Sequence, residues 1–174
     1  MGTRGYFGIK KDNMLKGMYN HFDSYPTGLG IVIIEDINKI KKEDRIKVLN
    51  ETFDYIQLVN DDVEPTEQMI KECETAGVVN LGVSNQDLKD WYCLLRETQM
   101  NLSIYLNKKI PYMLDGNDFL KDELFCEWAY IIDLDENLLK VYTDGDKMLR
   151  GKFDLEELKI NDMKKLEKII YKEE

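Results

Sequence analysis

Apolar residues alternate with polar ones in two blocks near the start of the chain and in two near its end, while the middle carries apolar residues at three- and four-residue spacing. The first pattern predicts strands and the second predicts amphipathic helices, because side chains repeat every two residues along a strand and about every 3.6 along a helix. Residues 3–9 and 14–20 read as two strands of a hairpin joined through Lys10, Lys11, Asp12 and Asn13. Trp128 to Ile132 and Leu138 to Tyr142 read as a second hairpin, with Asp133 to Asn137 turning the chain. Between them, helices are predicted over residues 31–40, where crowded β-branched side chains leave a short strand possible, 42–59 and 65–76, the last opened by Pro65 and Thr66 and closed by Gly77. A capping box at Ser84, Asn85, Gln86 and Asp87 predicts a further helix to about Leu106. Residues 162–172 close the chain as an amphipathic helix with Met163, Leu166, Ile169 and Ile170 on one side.

These elements predict an α+β fold: an antiparallel sheet built from the N-terminal and C-terminal hairpins, packed with the central and C-terminal helices. The 174 residues fit one domain, 1–174, long enough to bury a core without metals or disulfides. The longest apolar run, Ile31 to Ile34, is far too short to span a membrane, and the opening residues lack the apolar segment of a signal peptide. A cytoplasmic address is therefore expected. Cys73, Cys93 and Cys126 form no CxxC pair and have no histidine near them, so buried, inert thiols are expected rather than a zinc site.

Charge changes the picture more by its placement than by its total of −10. Residues 1–30 are net positive and the rest of the chain is strongly acidic. That balance argues against direct nucleic-acid binding, which needs clustered lysine and arginine along a phosphate path. An acidic surface suits a basic protein partner or mimicry of nucleic acid, although dispersed acids are ordinarily a solvated face.

The segment with the most chemistry is Tyr19 to Gly30, which holds the only histidine with four hydroxyl side chains, a carboxylate and two glycines. If the second strand persists to Tyr25, then Tyr19, His21, Asp23 and Tyr25 share one face. Ahead of Pro26, Tyr25 is expected to be extended. Tyr19, Asn20, His21, Asp23, Ser24, Tyr25, Gly28 and Gly30 are the candidate ligand-binding residues, with the Gly28 and Gly30 amides placed to meet an anion. His21 beside Asp23 is the alternative catalytic pair, a general base oriented by a carboxylate. The competing structural role for the same residues is to organise the loop by bonding its main chain. No P-loop, dinucleotide fingerprint or nucleophile elbow is present. Asp133, Asp135 and Asn137 alternate like calcium ligands, but Leu138 stands where the loop needs glycine, so a hairpin turn explains them and no metal or cofactor is expected.

Gly2-Thr3-Arg4-Gly5, Tyr19 to Gly30 and Glu127 to Asp135 resemble a family of uncharacterised microbial and phage proteins, which implies a shared domain without a known activity. Met1-Gly2-Thr3 and Tyr19-Asn20-His21-Phe22-Asp23 are also similar to the opening of choloylglycine hydrolase-type N-terminal nucleophile enzymes. Gly2 replaces the nucleophilic cysteine and Tyr19 the arginine, so that resemblance implies a fold without its thiol chemistry. The resulting expectation is a non-enzymatic cytosolic binding protein, a phage-type accessory factor that sequesters a small anionic ligand or inhibits a host defence protein. The alternatives are a small hydrolase or transferase using His21 and Asp23, and an acidic interaction module that mimics nucleic acid.

Overall fold

The computed structural model describes residues 2–80, 82 and 87–173. Strands β1 (Gly5–Lys11) and β2 (Met14–Asn20) form the N-terminal hairpin. Their turn residues Asp12 and Asn13 both take left-handed backbone, φ 52° and 59°, as a two-residue turn that follows the strands' twist requires. Both turn amides donate to the Asp135 carboxylate, at 2.7 and 3.1 Å, which ties this turn to the later hairpin.

Helix α1 (Ile31–Asn38) follows a π-helical turn at Pro26–Gly30, so the short-strand alternative for the isoleucine run is not realised. Helix α2 (Arg45–Tyr55) leads into the short strand β3 (Gln57–Val59). Helix α3 (Glu67–Thr75) is capped by the Thr66 hydroxyl, which accepts the Met69 amide, and the chain leaves it through Gly77 at φ 72°. Beyond it come α4 (Trp91–Leu94), α5 (Ser103–Leu106), β4 (Tyr112–Leu114) and α6 (Asn117–Leu120). The chain ends in β5 (Trp128–Asp133), β6 (Leu138–Thr143), β7 (Met148–Asp154) and α7 (Ile160–Glu173).

The main sheet runs β2-β1-β5-β6-β7. Two corrections follow. The sheet is mixed rather than antiparallel, because β1 and β5 pair parallel, Gly5 opposite Trp128 through Lys10 opposite Asp133. A parallel pair needs a long crossover, and residues 21–127 supply it. Nor is there one helix to Leu106: its proposed cap at Ser84, Asn85 and Gln86 lies outside the described residues, and the rest is broken into α4, a 3₁₀ turn at Arg96–Thr98 and α5, with Met100 at φ 53°. β7, β3 and β4 were not expected.

β5 is buried on both faces, and its alternation sorts the core. Trp128, Tyr130 and Ile132 join Phe7, Ile9, Leu139 and Val141 beneath Ile33, Ile34 and Ile37 of α1, Leu49 and Phe53 of α2, and Met163, Leu166 and Ile170 of α7. Ala129 and Ile131 face the other way, with Tyr6, Leu120 and Cys126. A satellite cluster of Cys73, Val78, Trp91, Leu94, Leu95, Ile104, Ile110 and Tyr112 forms between α3 and the segment up to β4. Burial pushes the Cys73 thiol up to about 11 and the Cys126 thiol up to about 12, leaving both protonated and unreactive at neutral pH. Cys93 is half-buried.

Candidate functional site

A cleft of about 270 Å³ opens where the satellite cluster meets β2, lined by Tyr19, Tyr92, Phe119, Gln99, Asp61 and Asp115 among others. Its construction begins with two facing glycines, Gly8 and Gly17, in the first hairpin. A Cβ on Gly17 would stand 2.1 Å from the Tyr6 hydroxyl oxygen, so only glycine leaves room for that buried ring to lie across the hairpin. The Tyr6 hydroxyl donates to Asn117 Oδ1 at 2.7 Å, and Asn117 Nδ2 donates to the Leu15 carbonyl at 2.9 Å. These bonds hold α6 against β2.

Gly116 completes the contact: its amide donates to the Gly17 carbonyl at 2.9 Å, and a Cβ there would fall 2.6 Å from the Tyr19 amide nitrogen. This close approach brings the Phe119 ring edge-on to the Tyr19 ring, with centroids 4.7 Å apart. Tyr92 is set by Asp90, whose carboxylate accepts the Tyr92 and Cys93 amides, and its ring lies 6.4 Å from that of Tyr19. The two carboxylates arrive through the parallel pair β3-β4, which places Val59 beside Leu114 and bonds the Asp115 amide to the Val59 carbonyl at 2.8 Å. The loop carrying Asp61 is held by Trp91, whose indole N–H donates to the Val63 carbonyl at 2.7 Å. Asp115 Oδ1 accepts the Asn117 amide, and Asp61 has no side-chain partner among the described residues.

Tyr19 Oη lies 2.6 Å from His21 Nδ1. Burial, reinforced by the neighbouring Tyr92 and opposed by Arg4, raises the phenol's pKa above its ordinary value. Tyr19 holds its proton at neutral pH, and which partner donates in this bond follows the imidazole tautomer. The His21 amide donates to Gln99 Oε1 at 2.8 Å, so the histidine sits at the rim and is fixed from both sides.

The expectation that Tyr19, His21, Asp23 and Tyr25 line one alternating face is corrected. β2 ends at Asn20, and Asp23 takes left-handed backbone at φ 53°. The chain is turned there by the Ser24 amide bonding the Thr3 carbonyl and the Leu29 amide bonding the Asp23 carbonyl. Asp23 faces Tyr25, and its charge raises that phenol's pKa; no His21–Asp23 bond exists among the described residues. Tyr25 is extended before Pro26, at ψ 163°, as the proline demands.

Asn20 and Ser24 are fully buried and organise the loop: Asn20 Nδ2 donates to the Phe22 carbonyl at 2.6 Å and to Ser24 Oγ at 2.8 Å, while the Tyr130 hydroxyl donates to the Ser24 carbonyl. The amides expected to meet an anion are not presented to solvent as a pair. Gly28 N–H is bonded to the Tyr25 carbonyl, and Gly30 is buried against Met163 and Tyr130, where a Cβ would come within 3.0 Å of each. Of the segment singled out in the sequence, Tyr19 lines the cleft and His21 adjoins it.

Asp133 and Asp135 are likewise occupied. Asp133 Oδ2 accepts Lys140 at 2.8 Å and Lys10 at 3.3 Å, and its Oδ1 accepts the Asp135 and Glu136 amides. Among the described residues no three histidine, cysteine or acidic side chains gather as a metal-ligand set, and no helix is long and apolar enough to cross a membrane. A scan of protein-family models finds no match, and searches of curated proteins and of solved structures return no significant match.

Proposed function

We propose that this chain is a non-catalytic binding protein whose cleft takes a small ligand with a planar ring and cationic or N–H-rich substituents. The observation that carries the reading is the lining itself: three aromatic rings, from Tyr19, Tyr92 and Phe119, stand beside the Asp61 and Asp115 carboxylates, with no lysine or arginine in the wall. Aromatic rings offer stacking surface and attract cations over their faces, while a carboxylate accepts a forked pair of N–H donors. The volume is slightly below the ~300–1,000 Å³ of ordinary ligand pockets, which suits one substituted ring. The same charges disfavour the anionic ligand expected from the sequence.

Binding is favoured over catalysis because, among the described residues, the lining holds no serine, cysteine, lysine or histidine for its carboxylates to activate, Asp115 already accepts the Asn117 amide, and the rim histidine is engaged by Tyr19. A factor that sequesters its ligand fits a site whose carboxylates serve as acceptors for the ligand's N–H groups. Equilibrium dialysis with benzamidine, a ring bearing a forked cation, and with benzoate, its anionic counterpart, tests the reading. Benzamidine is expected to bind and benzoate to stay free, with benzamidine binding at least tenfold weaker in Asp61→Asn/Asp115→Asn. Preference for benzoate, or binding unchanged in the double variant, would refute it.

A further inference from the structure

Further along the Tyr19 to Gly30 segment, Thr27 meets α7 at a groove of about 490 Å³, lined also by Lys164, Lys165, Lys168, Lys172 and Tyr171. We propose that this groove is a second binding site, for a small multiply charged oxyanion of the polyphosphate class.

The four lysines are exposed, and none holds an ion pair with a described residue. Elsewhere in a chain of net charge −10 some lysines find carboxylates, as Lys11 with Asp54, Lys42 with Glu157 and Lys147 with Glu123, and others such as Lys71 and Lys89 do not; what sets these four apart is that they line one groove. Lys164, Lys168 and Lys172 follow one another at four-residue steps, a ridge of cations about 6 Å apart along the helix, with Lys165 beside it. Met163, Leu166 and Ile170 hold the opposite side of α7 in the core, so the ridge cannot roll away from the groove. Like charges at this spacing oppose helix formation by ~0.2–0.5 kcal/mol per pair, a cost that a bound anion relieves. Lysine in a last turn complements the helix dipole, but that effect fades within the turn, so it accounts for Lys172 and not for Lys164 or Lys165.

Among the described residues one carboxylate enters the groove, and it is committed: Glu167 Oε2 accepts the Thr27 amide at 2.6 Å. That bond fixes Thr27 at the groove's edge, where its hydroxyl can donate to an anionic oxygen. Several mobile ammonium groups converging on one groove suit a ligand with several charged oxygens better than a single carboxylate, since lysine binds phosphate as a point charge on a flexible stem. The site is independent of the aromatic cleft, sharing no lining residue with it.

Calorimetric titration of the full chain with inorganic triphosphate, at low salt and at 0.15 M, tests the inference. Saturable one-to-one binding is expected, weaker at the higher salt because ions screen exposed charges. Lys164→Ala/Lys168→Ala is expected to bind at least tenfold more weakly, while Lys164→Arg/Lys168→Arg and Asp61→Asn keep most of the affinity. Absence of saturable binding, or equal affinity in the alanine variant, overturns the proposal. Binding to vesicles containing phosphatidylserine without binding to triphosphate also overturns it, in favour of a membrane surface. The substituted positions are exposed, so the variants are expected to fold, and circular dichroism confirms it.

Discussion

At the scale of single residues, the cleft depends on side chains that are missing as much as on those present. Gly17 leaves the space that the Tyr6 ring fills, and Tyr6 in turn holds Asn117 and so Phe119. Gly17→Ala is expected to destabilise the fold by about 1–3 kcal/mol, the cost of overpacking a filled site, and to weaken benzamidine binding along with it; urea denaturation measures the first. A change within 0.5 kcal/mol would mean that Tyr6 can move aside freely. That Gly8 and Gly17 face each other depends on the hairpin register, which the sequence alone does not state. His21 and Tyr19 stood out because their segment concentrates polar and aromatic groups. Asp61, Tyr92, Gln99, Asp115 and Phe119 did not, because each looks like ordinary loop or helix sequence until the chain is folded, and their separation along it leaves no spacing to read.

At the scale of elements, the two hairpins are the most legible part of the chain, since strict alternation and polar turn residues specify them locally. Their parallel junction was not legible, because strand order is decided by a crossover more than a hundred residues long. The supposed helix to Leu106 failed for a related reason: Trp91, Leu94 and Leu95 do face a core, but the chain breaks at Met100, and its apolar spacing passes smoothly across the break. The alternating acids of the β5-β6 turn are a clamp that joins the hairpins. Burial acts to raise the Asp133 pKa, but the Lys140 bond, the Glu136 amide and the Lys10 charge outweigh it and hold the carboxyl below its ordinary value. Lys140 is held above its ordinary value by the same pair, again against its burial. The stabilisation is therefore complete above the unfolded carboxyl value of about 3.9 and lost as pH falls through the lower folded value; at the alkaline end it is lost as pH rises through the raised Lys140 value. Asp133→Asn is expected to cost about 3 kcal/mol at pH 7 by leaving a buried ammonium short of its partner, with the gap to the native chain closing below about pH 4. Urea denaturation at pH 7, 5 and 3.5 checks both the size and the closing. A gap that stays constant across these values would remove the clamp from the account.

For the whole molecule, the total of −10 conceals an uneven surface: a cleft walled by aromatic rings and carboxylates at Tyr19 and a lysine groove at Thr27. The sequence showed that segment to be unusual, and it could not show that the fold divides it between two sites of opposite sign. The central claim is that the aromatic and acidic cleft is the ligand site, and NMR titration of the isotope-labelled chain with benzamidine tests it most directly. The account predicts saturable shifts confined to the amides of Met18, Tyr19, His21, Tyr92, Gln99, Asp115 and Phe119, largely abolished in Asp61→Asn/Asp115→Asn, in which the asparagine oxygen at position 115 can still accept the Asn117 amide. Shifts centred on any other surface, or no saturable shift in the native chain, would contradict it.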